Sequence, residues 1–153
     1  MNPLYVLQPK AVSPSNANDK DAILAELARV LAETYDLEGA DILESLEERE
    51  RLGSTGFGGG VALPHARIAD LHRPVAALLR LENPAEFDAA DGLPVELVFG
   101  LLSPENAGAT HLHALAAISR LMRDEKTKEE LLEAPDADAM FGLLTNVTDR
   151  DVA

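Results

Sequence analysis

The sequence predicts an α/β (α+β) fold, a single β-sheet covered by helices. Three observations carry this. Residues 94–102 form a nearly continuous apolar run with Glu96 as the only charge, the mark of a central strand buried on both faces. Ile23, Leu24, Leu27, Val30 and Leu31 recur at helical spacing. Strand and helix signals then alternate along one chain. In order, residues 1–20 read as an extended arm and loop around the apolar piece 4–7. Asn18 or Asp19 caps a helix running to about 35. After Gly39 a second helix, about 40–51, sets Ile42, Leu43 and Leu46 against an acidic face. A glycine-rich loop leads into a short strand at 61–63, and 74–81 is a buried strand. Asn83-Pro84 and Asp91-Gly92 signal turns, and 103–108 reads as a loop. Helices are expected at about 110–123, 126–133 and 136–144, with Leu112, Leu115 and Ile118 marking the core face of the first. The 153 residues form one domain, 1–153, with a core of about 4–145 and a polar tail, 146–153, expected to fray.

Composition narrows the function classes. No cysteine is present, which excludes disulfides, thiolate metal sites and cysteine nucleophiles. A net charge of −14 repels nucleic-acid phosphates and anionic lipid, so nucleic-acid binding is not expected and basic protein partners are favoured. No apolar run is long enough to span a bilayer, and no secretory signal is visible, so a cytoplasmic location is expected.

Chemistry concentrates in 49–65. Five glycines, Ser54, Thr55 and Arg49 precede His65. Glycine allows positive φ and lets backbone N–H groups converge on an anion. The hydroxyls add donors, and the guanidinium suits phosphate oxygens. Histidine can be a nucleophile near neutral pH. The loop lacks the Gly-Lys-Ser/Thr ending of a P-loop, and it follows a helix and enters a strand, so neither ATP nor a dinucleotide is expected. The residue chemistry leaves open a flexible surface turn with an ordinary strand-end histidine. His111 and His113 form a His-x-His pair, but on a helix they stand about 200° apart, so they should not chelate a metal together. No metal and no cofactor are expected. His111, in the first helical turn, is the better phosphate neighbour; His113 and His72 are expected at the surface. Arg67 and Arg73 either rim the site or are solvated loop charges.

Arg49-Glu50, then Gly53-Ser54-Thr55-Gly56, then Gly58-x-Gly60-x-Ala62-x-Pro64-His65, together with Thr110-His111-Leu112, resemble the enzyme IIA proteins of the phosphoenolpyruvate-dependent phosphotransferase system, fructose–mannitol type (type 2). The resemblance runs from about 4 to about 145. Leu7-Gln8-Pro9, the Gly-Ser-Thr-Gly loop and Thr110-His111-Leu112-His113 make it most like the nitrogen-regulatory branch.

The resemblance implies a mixed sheet of about five strands flanked by helices. It also implies a phosphoryl relay in which a histidine-containing phosphocarrier protein donates to His65, through Nε2, with the proton of Nδ1 held against a backbone carbonyl. Arg49 and His111 match the positions that stabilise the phosphoryl group. Ser54, Thr55, Gly58 and Gly60 would cradle it, and Phe57 and Arg67 would meet partners. Without the cysteine of a IIB domain or the spans of a IIC permease, a stand-alone IIA is implied, signalling by phosphorylation state to targets such as potassium transport systems or sensor kinases. Two alternatives remain open, a sugar IIA serving a separate IIB protein and a non-catalytic protein-binding module. Gly59, where many relatives carry Asn, and Arg67, where a Gly-Lys pair is common, depart from the family pattern.

Overall fold

The computed structural model describes residues 4–145 in full and carries the backbone of the last helix to Val152. The chain runs β1 (Val6–Ser15), α1 (Lys20–Tyr35), α2 (Gly39–Arg51), β2 (Gly56–Gly58), β3 (Val61–Ala62), β4 (His65–Ile68), β5 (Val75–Ala85), β6 (Val95–Pro104), α3 (Ala109–Arg123), α4 (Glu125–Glu133) and α5 (Ala137–Val152). The tail 146–153, expected to fray, lies outside the fully described residues.

One mixed sheet has the order β1-β5-β6-β3-β2, with β4 also on β6. Its centre is the antiparallel β5–β6 pair, while β1 joins β5 and β3 and β4 join β6 in parallel. Strand alternation splits the apolar residues between two cores. Val75, Ala77, Leu79, Val98 and Leu102 meet α1 and α2 through Ile23, Leu27, Leu31, Ile42 and Leu46. Ala76, Leu78, Leu97, Phe99 and Leu101 meet Ala114, Ile118, Leu131 and Met140 of the last three helices. Hence β5 and β6 read as continuous apolar runs. Asp19 caps α1, its carboxylate accepting the Ala22 N–H at 2.7 Å.

The sheet has six strands against about five expected, and the differences have identifiable causes. Residues 6–15, expected as an arm and loop, form a full edge strand. Pro9 and Pro14 cannot donate to a ladder and disguise it, as edge strands and bulges tolerate proline. The register shifts between Leu7 and Val12, and the orphaned Gln8 N–H donates instead to the Tyr35 hydroxyl at 3.1 Å. That hydroxyl donates to the Ala76 carbonyl at 2.7 Å, and burial pushes its pKa up to about 12. Asn83-Pro84 is likewise no turn. It sits in an irregularity of β5 between Arg80 and Ala85. Strand β4 follows the proline directly, where no strand was expected.

Gly100 marks the closest approach of helix and sheet. A Cβ there would lie 2.7–3.0 Å from three side-chain carbons of Leu27, which is wholly buried. Gly100→Ala should therefore destabilise the fold by about 1–3 kcal/mol through overpacking. In a Leu27→Ala background the same substitution should cost far less, as measured by urea denaturation of the four proteins. Equal costs in both backgrounds would remove Leu27 as the cause.

Candidate functional site

Strands β3 and β4 are two pieces of one line along β6. Val61 pairs with Leu97 and His65 with Leu101, the same offset on both sides of Leu63-Pro64. Between them Leu63 faces away from β6, towards Thr55. Its N–H donates to the Thr55 carbonyl at 3.0 Å, and the Leu101 N–H takes the Pro64 carbonyl at 3.0 Å. The Leu63 carbonyl accepts from His65 Nδ1 at 2.7 Å. A carbonyl can only accept, so Nδ1 carries the ring proton and Nε2 holds the lone pair. Arg49 Nε donates to that Nε2 at 3.2 Å, while its Nη1 donates to the Gly53 carbonyl at 2.8 Å.

Because β4 lies at the sheet edge, both helical layers reach His65. Ala66 and Ile68 point into the core under α1 and α2, while His65 and Arg67 alternate with them. Arg49 comes from the last turn of α2. From α3, the His111 ring lies 5.6 Å from the His65 ring, tilted by 48°. His111 is buried, and its Nδ1 is 2.7 Å from Ser103 Oγ on β6. Burial lowers the pKa of His65, and the Arg49 charge adds to this against the Leu63 bond and Glu50. Burial also takes His111 down to about 4, helped by Arg67 and by His65. Both rings are neutral at neutral pH.

The glycine loop behaves differently from a phosphate cradle. The Ser54 hydroxyl donates to the Phe87 carbonyl at 2.6 Å and accepts the Gly56 N–H at 3.0 Å. Thr55 gives both its N–H (3.1 Å) and its hydroxyl to the Glu50 carboxylate. Glu50 is in turn paired with Lys20 at 2.9 Å, whose ammonium sits 4.8 Å from the Phe87 ring centre. The expected anion donors are thus committed to locking the loop between α2 and residues 86–91. Gly58 and Gly60 have φ of 107° and 81° and shape the β2–β3 hairpin beside the Asp91 and Glu96 carboxylates, not beside His65. Gly59, φ 67°, leaves space for Lys128, whose Nζ donates to its carbonyl at 3.2 Å.

An open cleft of about 390 Å³ lies in front of His65, walled by Arg49, Ser54, Thr55, Phe57 and Leu63 on one side and Leu112, Leu115, Ala116, Ser119 and Arg123 of α3 on the other. Arg123 stacks its guanidinium 5.2 Å from the Phe57 ring centre. The α3 residues are new. Of the expected core face of that helix, Ile118 is wholly buried and Leu115 packs partly buried against the core, but Leu112 is 60% exposed, and His111, Ala114, Leu121 and Met122 complete the buried row. The recurrence of 112, 116, 119 and 123 is a second helical stripe that the sequence already contained. Arg67 is exposed and stands 3.5 Å from the Gly108 carbonyl, near His111 and outside the cleft walls. His113, His72 and Arg73 are exposed. Among the described residues no cluster of ligating side chains could hold a metal, and no helix is long and apolar enough to cross a membrane.

This edge-strand histidine, flanked by an arginine and a second histidine, sits in a chain whose residues 6–147 match the family model described as phosphoenolpyruvate-dependent sugar phosphotransferase system, EIIA 2. The chain belongs to that family. Among its relatives is a nitrogen regulatory protein of Bradyrhizobium diazoefficiens, 41% identical over 140 residues, 91% of this chain and 92% of that protein. One from Pseudomonas aeruginosa is 40% identical over 84% of each. The crystal structure of nitrogen regulatory protein IIA-Ntr from Neisseria meningitidis superposes with a TM-score of 0.84 at 36% identity, covering 91% of this chain and 96% of that one. The mannitol IIA of Escherichia coli shares the fold at 19% identity, TM-score 0.77, over 92% and 99% of the two chains. The expected resemblance to type 2 EIIA proteins, and to the nitrogen-regulatory branch among them, is borne out.

The desolvated pair makes a titration prediction. Followed by NMR, His65 should titrate below 6.5 and His111 near 4. Arg49→Gln should move the His65 midpoint upward, because a cation that disfavours imidazolium is removed. A His111 midpoint at or above 6.5 would mean that the ring is solvated and the site open.

Proposed function

We propose that the chain is a phosphoryl-carrier regulatory protein that accepts a phosphoryl group on His65 from a histidine-containing phosphocarrier protein. The observation that carries this reading is the division of labour on one ring: Nδ1–H is held by Leu63 at 2.7 Å and the Nε2 lone pair faces Arg49. Lone-pair presentation by the correct tautomer is what a histidine nucleophile needs. Nε2 of His65 attacks the phosphorus carried by the donor histidine. The new N–P bond forms as the donor N–P bond breaks, and its electron pair stays on the donor ring. Arg49, now free to turn from Nε2 to oxygen, and His111 offset the charge on the transferring group. Transfer of this kind depends on in-line placement and charge stabilisation. Ser54, Thr55, Gly58 and Gly60 act here as a frame for Arg49 and His65, in place of the cradle the family motif suggests.

The donor docks on the cleft face. Exposed Leu112, with Leu115 and Phe57, offers an apolar patch beside the nucleophile, and Arg123 is the cation at its rim. Covering this patch would exclude water from the phosphoryl group. The names of the nitrogen regulatory relatives support a regulatory output; acting in the cytoplasm, the protein would signal by its phosphorylation state to targets such as potassium transport systems or sensor kinases. A second reading, a sugar IIA passing its group to a IIB protein, is favoured by two relatives: the fructose-specific EIIABC component of Bacillus subtilis, 34% identical over 84% of this chain but only 20% of that protein, and the fructose-specific EIIA component of Haloferax volcanii, 36% identical over 70% of each.

The test is incubation with phosphoenolpyruvate, the general phosphotransferase enzyme and the phosphocarrier protein. Intact mass should rise by one acid-labile phosphoryl group, and His65→Ala should abolish it. Normal labelling of that variant would overturn the assignment. Arg49→Ala should slow transfer on the order of 10²-fold, the usual loss for one charge-stabilising donor. Onward transfer to a IIB cysteine would favour the sugar reading. Equal partner affinity for wild type, His65→Ala and His65→Asp would instead make the protein a binding module indifferent to phosphorylation.

A further inference from the structure

Ser103 stands outside the family motif, outside the cleft walls and outside the roles assigned above. It lies on β6, paired in register with Arg67, and is wholly buried. Its hydroxyl has one hydrogen-bond partner among the described residues, Nδ1 of His111 at 2.7 Å. A hydroxyl carries a single hydrogen and can also accept, whereas a neutral imidazole has one donor nitrogen and one acceptor. Two arrangements are possible in principle. If His111 Nδ1–H donated to Ser103, the hydrogen of this wholly buried serine would find no other acceptor among the described residues. If Ser103 donates to Nδ1, both the serine hydrogen and the Nδ1 lone pair are satisfied. The second arrangement places the His111 proton on Nε2.

We propose that Ser103 is a positioning residue that holds His111 in its Nε2–H tautomer, so that a neutral N–H donor is presented to the phosphoryl group on His65. The catalytic consequence rests on the carrier reading of His65; the tautomer does not. The two adjacent rings then carry opposite tautomers. His65 is Nδ1–H, oriented by a carbonyl, and offers a lone pair. His111 is Nε2–H, oriented by a hydroxyl, and offers a hydrogen. Its Nε2 makes no hydrogen bond to a described residue, so it is available to a group arriving on the neighbouring ring, whose centre is 5.6 Å away. Burial, together with Arg67 and His65, keeps His111 neutral, so its tautomer rather than its charge decides whether it can donate. The backbone supports this arrangement. His111 sits in the first turn of α3, and Ser103 in the penultimate position of β6, joined by the short connection 105–108. The residue that follows the sheet thus receives its hydrogen bond from the end of the sheet.

The tautomer is read directly from the ring nitrogens by long-range proton–nitrogen NMR on the unphosphorylated full chain. Wild type should show His111 protonated on Nε2. Ser103→Ala should shift His111 to a mixture of tautomers and leave the His65 signals in place. The same variant should slow phosphoryl transfer about tenfold in single turnover, with the apparent KM for the phosphocarrier unchanged because the cleft face is intact. This is a smaller loss than the order of 10² expected when a donor is deleted outright. Ser103→Thr, which keeps the hydroxyl, should restore both tautomer and rate. An Nδ1-protonated His111 in wild type, or an unaltered tautomer in Ser103→Ala, overturns the proposal. So does a folded Ser103→Thr protein that behaves like Ser103→Ala. Failure of the carrier reading is recognised separately, as a wild-type protein that takes no phosphoryl group while its His111 is still protonated on Nε2.

Discussion

The Leu63 carbonyl is the point on which the site turns. Leu63 faces away from β6: its N–H donates to the Thr55 carbonyl, whereas the Gly60 and Pro64 carbonyls accept from Leu97 and Leu101 of β6. Pro64 has no N–H to give, and the pairing resumes only at His65, in unchanged register. On that outer side the Leu63 carbonyl meets the side chain two positions on, and His65 Nδ1 donates to it at 2.7 Å. An unpaired carbonyl in such a place would be costly, about 1–3 kcal/mol. The bond therefore serves the fold as much as the ring. With its proton engaged there, His65 can offer only Nε2 outward. Arg49, His111 and the cleft all relate to that one nitrogen, and they can do so because the residue sits on the edge strand where the two helical layers meet.

Glycines, hydroxyls and an arginine before a histidine suggest a loop that wraps an anion. The structure assigns the polar groups to the protein itself. Ser54 ties to Phe87, and Thr55 ties to Glu50, which is held by Lys20 from the start of α1. The chain bends sharply enough to do this because Gly56 lies against the Ala89 backbone, where a Cβ would stand 2.9 Å from Cα. What the loop supplies to the site is rigidity at Gly53, whose carbonyl fixes the Arg49 guanidinium. A motif can thus be diagnostic of a site while most of its residues never touch what the site handles.

This explains which parts were legible in the sequence. Helix α1 was readable from periodicity and a capping aspartate, and β6 from an apolar run, since each signal is local and unopposed. His65, Arg49 and His111 were readable as a set only through the motif resemblance, and the structure brings all three together. The elements that were missed are those where a local signal conflicts with tertiary pairing. Pro9, Pro14 and Asn83-Pro84 read as breaks, yet edge position and bulges absorb them. Ser103 read as the first loop residue after an apolar strand, although it is the penultimate residue of that strand. The first turn of α3 was misread because Leu112 is apolar and exposed while His111 is polar and buried, its Nδ1 paired with Ser103.

In the proposed role the protein must release the group it accepts, and the arrangement of charge suits that requirement. The cleft holds Arg49 at the neutral His65 and Arg123 at its rim, with the neutral His111 ring adjoining His65, in a chain of net charge −14. A fully cationic pocket would bind a phosphoryl dianion too firmly to pass it on, and a wholly acidic one would not admit it. Neutral donors give direction with little net attraction, because a hydrogen bond exchanged for one to water contributes only about 0.5–1.5 kcal/mol. Desolvation is what holds the histidines neutral, and it is set by the same packing that builds the second core under α3. A substitution that loosens that core would let water in and His111 take a proton. The bound dianion would then gain a cation in contact, and onward transfer would slow before acceptance did.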